Sequence, residues 1–306
     1  FMLDICLLGT GGTVPLPNRW LTSLLVRWNG NILLVDCGEG TQIAIHQHGY
    51  SCKAIDTILL THFHTDHTAG LPGLLLTMAK SERTEAVTIY GPKGLTEVFE
   101  GIYKVARYIP FEIKLVEIDG PQIDFEIKGL KIKALHAKHS VPCYAYIFEL
   151  DRTRKFDKDK AIAKGVPMQL WGKLQKGNTI EFDGKIYTPD DVLGESRQGL
   201  KMVYATDTRP LDELITLAGN ADLYIGEGMY GDPEKIEKAS LNKHSTMQET
   251  AILAKKMMVK ELWFTHYSPS IKDPSVYEDV IHQIFAQAVI AKDGQQKILR
   301  FIDEGE

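Results

Sequence analysis

Residues 61–73 read THFHTDHTAGLPG and follow the apolar run IDTILL directly. Three histidines and an aspartate, His62, His64, Asp66 and His67, fall within six residues. Histidines two positions apart at a strand end put both rings on one side of the chain, because side chains alternate along a strand. Asp66 and His67 are neighbours, so an extended chain would aim them apart, and the turn into a following helix must bring both to one site. One divalent ion cannot use all four groups and stay open to a substrate. The spacing therefore predicts two ions, with His62 and His64 on one and Asp66 and His67 on the other. Imidazole and carboxylate ligands suit zinc. The plain alternative is a helix start, with Asp66 as its N-cap and the histidines on the surface. It explains a lone His-Asp pair better than four such groups behind a buried strand.

Outward from this motif the chain alternates short apolar runs with turns. MLDICLLGT, TSLLVRW and NILLVDCG read as strands broken by GTGGTVPLPN and NGN. IDTILLTH is another strand, and its unbroken apolar run implies burial on both faces. A helical pattern runs from Thr68 to about Lys80. VTIYG, FEIKLVEI, IDFEIKGLKIKALHA and CYAYIFEL continue the strands, with a helix around LTEVFEGIYKVARY. After residue 200, MVYATDT, ADLYIGEG and ELWFTHYS alternate with helices at PLDELITLA and TMQETAILAKKMM. Such mixing predicts sheets layered with helices. Residues 151–200 interrupt the rhythm: they are charged and poor in strand signals. Phe156, Ile162, Val166, Leu170, Trp171 and Leu174 predict a small helical unit there. The expectation is a single domain over residues 1–306 with an inserted arm at about 151–200.

Composition narrows the class. The chain has 306 residues, 44% hydrophobic and 25% charged, ample for a buried core. Its net charge of -5 announces no nucleic-acid or membrane partner, so any basic surface must be local. Cys6, Cys37, Cys52 and Cys143 are scattered and form no CxxC pair, as expected of buried thiols in a reducing compartment. FMLDICLLGTGG lacks the basic start and long apolar stretch of a secretory signal, and no run approaches the ~18 apolar residues of a membrane span. The expected location is the cytoplasm.

Four ligands leave two zinc ions under-coordinated. Three further candidates stand at the exits of apolar runs: His139 in AKHSVP, Asp207 in VYATDT and His266 in LWFTHYSP. With the histidine motif they make two sets of three plus a shared aspartate. His46, His48, His136 and His282 lack that context and are assigned to structure or surface.

Taken with LLVDCGEGTQ, YGPKG, HSVP, TDT, HST and THYSP, the histidine motif resembles the metallo-β-lactamase superfamily. Within it, GEGTQ, GLPGLL and HST point to the short form of ribonuclease Z, the tRNA 3′-processing endonuclease. The resemblance covers nearly the whole chain. It implies an αββα sandwich and a dizinc site, manganese being the alternative metal. It places His62, His64 and His139 on one ion, Asp66, His67 and His266 on the other, and Asp207 between them. Asp36 is expected to orient a histidine ligand. His244, just ahead of the T-x-x-E capping box at Thr246 and Glu249, is implied to face the scissile phosphate with Glu227 behind it. The implied mechanism has Asp66 take a proton from the attacking water and His244 protonate the ribose 3′-oxygen. The implied partners are precursor tRNA and a second copy of the chain, whose arm presents the RNA.

Residues 151–178 carry eight Lys and Arg against three Asp, a local charge of +5 in a chain of -5. A basic tip on an acidic body suits backbone contacts to a folded RNA. Two motifs depart from the family. Residues 165–174, GVPMQLWGKL, lack the Gly-Pro element of the arm, and Pro15-Leu-Pro17-Asn-Arg19-Trp20 keeps only the arginine of the family's Pro-x-Lys-x-Arg-Asn. The rival readings are a phosphodiesterase of the same fold acting on small cyclic ribose phosphates, and a non-catalytic metal-containing RNA-binding protein.

Overall fold

The computed structural model describes residues 2–301. Its strands are β1 (Met2–Gly9), β2 (Ser23–Trp28), β3 (Asn31–Val35), β4 (Ile55–Leu59), β5 (Val87–Pro92), β6 (Ile113–Ile118), β7 (Gln122–Ile127), β8 (Leu130–His136) and β9 (Tyr144–Arg152). There follow β10 (Ile180–Phe182), β11 (Lys185–Tyr187), β12 (Arg197–Ala205), β13 (Leu223–Glu227), β14 (Leu262–Thr265), β15 (Ala288–Ile290) and β16 (Gln295–Arg300). One seven-stranded sheet runs β16-β1-β2-β3-β4-β5-β6, and a second runs β15-β14-β13-β12-β9-β8-β7.

The apolar pattern of β1 shows why these sheets stack. Leu3, Ile5 and Leu7 enter the core between the sheets, whereas Cys6 and Leu8 enter a core beneath helices. A strand apolar on both faces needs a layer on each side. β9 does the same in the other sheet: Tyr144, Tyr146 and Phe148 meet the central core, and Ala145 and Ile147 face a third one. Helices Thr41–Gln47, Leu71–Lys80 and Leu95–Val105 cover the first sheet through residues such as Ile45, Leu74 and Phe99. Helices Glu213–Leu217, Met247–Met257 and Glu278–Ile284 cover the second through Leu214, Ala251 and Ile281. The result is a four-layer αββα sandwich.

The parallel pairs β3–β4 and β12–β13–β14 matter most for function. Loops at the carboxyl ends of parallel strands gather on one side of a sheet, where ligands bind in open α/β folds. Asp36, His62, Asp207, Glu227 and His266 all stand at or just beyond such ends.

Two sequence expectations need correction. The helix expected from Thr68 is two helices, Thr65–Thr68 and Leu71–Lys80. Pro72 fits only the first turn of a helix, so it forces a new start, and the Gly70 amide is used by the Cys37 carbonyl at 2.8 Å. The inserted segment is not purely helical. Asp151–Gly199 forms its own compact unit, in which the helices Lys158–Ala163 and Trp171–Gln175 are followed by the β10–β11 hairpin. Val192, Leu193 and Tyr187 complete its core with Ala161, Leu170 and Leu174. Three-residue strands are too short for alternation to show. The signal was the Asp183-Gly184 turn, both residues at positive φ (53° and 69°), as a two-residue hairpin requires. Arg154 donates to the Gly194 and Leu193 carbonyls (2.5 and 3.1 Å) and pairs with Asp190, while Lys160 donates to the Leu193 carbonyl at 2.9 Å. Those two cations staple the arm. Lys155, Lys158, Lys164, Lys173 and Lys176 are exposed.

Candidate metal centre

Three residues of the centre leave their strands in the left-handed region: Asp36 (φ 58°), Asp207 (φ 54°) and His266 (φ 57°). Such a φ is uncommon outside glycine and, in a buried ligand-type residue, points to a site. All three are at most 2% exposed.

Asp36 organises the histidine motif. Its carboxylate accepts the Thr61 amide at 2.8 Å, the Thr61 hydroxyl at 2.9 Å and His67 Nδ1 at 2.8 Å. The Thr61 hydroxyl also lies 3.0 Å from His62 Nδ1. With that hydroxyl donating to Asp36, it accepts from His62. Both rings therefore keep a proton on Nδ1 and turn Nε2, the nitrogen left to ligate, inward. His139 does the same by setting Nδ1 3.3 Å from the Lys243 carbonyl.

Two ligand sets result. His62 Nε2 lies 2.9 Å from His64 Nδ1, which lies 3.4 Å from His139 Nε2. Asp207 Oδ1 is 3.9 Å from both His62 Nε2 and His139 Nε2. In the second set, His67 Nε2 and His266 Nε2 are 3.3 Å apart, with Asp66 Oδ2 at 3.6 and 3.3 Å from them. Asp207 Oδ2 faces this set at 3.1 and 3.2 Å, yet no donor meets it in hydrogen-bonding geometry. In His62, His64, His139 and Asp207, and again in Asp66, His67 and His266, one ligand-type atom from each residue lies within 4.8 Å of the others.

That orphaned oxygen tests whether the residues fit the implied metal. A buried carboxylate oxygen without a donor in hydrogen-bonding geometry, 3.1 and 3.2 Å from two imidazole nitrogens, is stable only with positive charge beside it, and a cation held among these atoms would supply it. The carboxylates also stay ionised. Burial would raise the Asp207 pKa, but His266, His67 and His62 outweigh it and hold the group well below the usual carboxylate range. Asp66 is likewise held low against burial, by His266 and His67. Burial would lower His266, yet Asp207, Asp66 and Glu227 bring it up to about 10. His62, desolvated and beside His67, is pushed down. These donors fit divalent cations.

Next to the ligand sets, His244 sets Nδ1 2.6 Å from Glu227 Oε1. Glu227 is 1% exposed; its other oxygen accepts the Ser245 amide at 2.6 Å, and Oε1 accepts the Asp207 amide at 3.2 Å. Burial would lower the His244 pKa, but Glu227 raises it on balance. Asp207, Glu227, His244 and His266 form a third convergent group. There the His244 nitrogen turned inward already holds the Glu227 carboxylate.

All nine sequence candidates, His62, His64, Asp66, His67, His139, Asp207, Glu227, His244 and His266, come together here. The capping box forms, with the Glu249 amide donating to Thr246 Oγ1 at 3.2 Å and Glu249 Oε2 accepting the Thr246 amide at 2.9 Å. His46, His48, His136 and His282 belong to none of the convergent groups among the described residues. Sequence reading missed three residues. Thr13, in the β1–β2 loop, donates its amide to Asp66 Oδ2 at 2.6 Å. Arg209 donates to the His244 carbonyl at 2.5 Å and pairs with Glu249. Ser245 donates its hydroxyl to the Thr208 carbonyl at 2.6 Å. Arg209 follows the TDT motif directly, a legible signal; a backbone amide leaves none.

Comparison with known proteins gives three kinds of match. Residues 3–170 match the family model described as Anti-Pycsar protein Apyc1. A ribonuclease Z of Agathobacter rectalis is 50% identical over 303 residues, covering 99% of this chain and 100% of that protein. Among solved structures, the metallo-β-lactamase fold protein YhfI of Bacillus subtilis aligns with a TM-score of 0.70 at 21% identity, covering 97% of this chain and 99% of that one. Human tRNase Z, short form, aligns at 0.68 and 23%, covering 98% and 99%. At those identities the likeness is one of fold.

Proposed function

The chain belongs to the ribonuclease Z family, and through residues 3–170 also to the family described as Anti-Pycsar protein Apyc1. From the first membership we infer that it is a metal-dependent endoribonuclease that removes the 3′ trailer of precursor tRNA. The observation that carries the chemistry is Asp207, whose two oxygens face two separate sets of imidazoles.

His62, His64 and His139 would hold one zinc ion, Asp66, His67 and His266 the other, and Asp207 both. Bound there, the ions would supply Lewis acidity toward a phosphate oxygen and make a water acidic near neutral pH. Asp66, kept ionised and fixed by the Thr13 amide, accepts the proton of the attacking water. His244 carries a proton because Glu227 faces it, and it gives that proton to the ribose 3′-oxygen as the P–O bond breaks. The tRNA keeps a 3′-hydroxyl and the trailer leaves with a 5′-phosphate. Exposed Lys158, Lys164, Lys173 and Lys176 of the arm bind RNA phosphates. The protein works as a cytoplasmic homodimer in which one subunit's arm serves the other's centre. Among the described residues no helix is long and apolar enough to cross a membrane.

The test is incubation with precursor tRNA transcripts carrying a 3′ trailer, with and without an encoded CCA, reading the product ends. A tRNA ending in a 3′-hydroxyl at the trailer junction is expected. Intact precursor beside hydrolysed cyclic phosphodiester would hand the centre to the small-molecule reading. Binding of the precursor without cleavage of either substrate would leave a non-catalytic RNA binder.

A further inference from the structure

Thr13 is exposed, so burial does not keep its amide on Asp66. Its own backbone resists the position. Thr13 has a φ of 71°, and the Val14 amide reaches back to the Gly12 carbonyl at 2.9 Å, which makes a γ-turn centred on Thr13. This handedness is the strained one for a residue with a side chain, and it persists only where the surroundings over-determine it.

The restraint comes from the far end of the chain. Asp293, in the turn between β15 and β16, accepts the Thr10 amide at 2.9 Å and the Thr10 hydroxyl at 2.7 Å on one oxygen. Its other oxygen accepts the Trp20 amide at 2.6 Å. One carboxylate thus holds both ends of residues 10–20. Between those anchors the Gly12 amide donates to the Tyr267 carbonyl at 3.0 Å, and the Tyr267 amide to the Thr10 carbonyl at 2.8 Å. Arg19 ties down the outer limb through the Ile271 and Lys272 carbonyls, at 2.9 and 3.1 Å. The loop also lies against the centre: a Cβ on Gly12 would stand 2.8 Å from the His266 ring.

We propose that Asp293 is a positioning residue for Asp66, holding the β1–β2 loop at both ends so that the strained Thr13 amide fixes the Asp66 carboxylate. The proposal rests on the proton-accepting role of Asp66 given above. Asparagine at 293 offers one acceptor oxygen and an amino group, so it can keep only one of the two anchors.

The experiment compares Asp293→Asn and Asp293→Glu with the unsubstituted protein, all zinc-loaded. Glutamate keeps the charge but shifts the carboxylate by one methylene, and it decides the matter if the asparagine variant does not fold. Exchange of the Thr13 amide with solvent should accelerate at least ~10-fold. With bis-p-nitrophenyl phosphate, kcat should fall about 10-fold while KM stays within about twofold and metal content is unchanged. A folded, metal-loaded variant with the original kcat and Thr13 exchange rate overturns the proposal, and so does a loss of kcat that tracks loss of metal. An unsubstituted protein inactive on every phosphodiester would defeat the function reading instead, and the exchange rates would still decide whether Asp293 holds the loop.

Discussion

Replacing Asp36 by asparagine should weaken zinc binding about 10- to 100-fold while leaving the fold in place. The Asp36 carboxylate is fully buried and accepts from the Thr61 amide, the Thr61 hydroxyl and His67 Nδ1. Asparagine has one acceptor oxygen, and the Thr61 amide, which can only donate, will keep it. The new amino group then faces His67 Nδ1, donor against donor. His67 escapes by moving its proton to Nε2, the nitrogen that faces Asp207 and Asp66. A buried mismatch of this kind is worth ~1–3 kcal/mol, and ~1.4 kcal/mol is a factor of ten in affinity. The turn itself should survive, because asparagine tolerates the φ of 58° found there. The assay is a chelator-competition titration of metal-stripped protein with zinc, with circular dichroism to verify folding. A folded variant whose affinity lies within about twofold of the original would refute the tautomer argument.

Three further outcomes are expected. His244→Ala should lower turnover of precursor tRNA ~10²- to 10⁴-fold with metal content unchanged; loss of metal, seen by elemental analysis, would make His244 a ligand instead. Replacing Asp151–Gly199, the whole compact unit, by a short Gly-Ser linker should leave turnover of a small phosphodiester within a few fold. Cleavage of precursor tRNA should collapse through binding, and the salt dependence of that binding should become shallower. Equal losses on both substrates would place the arm in the catalytic centre. Stripping the metal should abolish hydrolysis and lower Tm, and zinc at a hundred times Kd should restore ~2.7 kcal/mol of stability for each site filled; an unchanged Tm on stripping would mean that the two sets hold no ion.

The residue types in HxHxDH declared their chemistry without any fold, because no packing or capping role calls for four such groups after a buried strand. Strand-exit positions likewise made His139, Asp207 and His266 legible, since an apolar run ending in a ligand-type residue delivers that residue to a sheet edge. The arm's charge was visible too, but not its division of labour. Arg154 and Lys160 count toward +5 in the sequence, yet the fold uses them as internal staples.

What only the tertiary structure decided is how distant backbone and side chains act on the centre. That Asp207 turns one oxygen to each imidazole set depends on the register of β12 against its neighbours, which alternation does not encode. The choice of nitrogen on His62, His67 and His139 is set by Thr61, Asp36 and a backbone carbonyl, through contacts spanning up to 104 residues. The Thr13 amide and the Asp293 carboxylate that holds its loop lie 280 positions apart in the chain, and β16 returning to pair with β1 is what brings them together. Local sequence carries residue type and period. It carries no record of which remote donor will stand 2.6 Å from which oxygen, because that distance is the outcome of the whole sandwich closing at once.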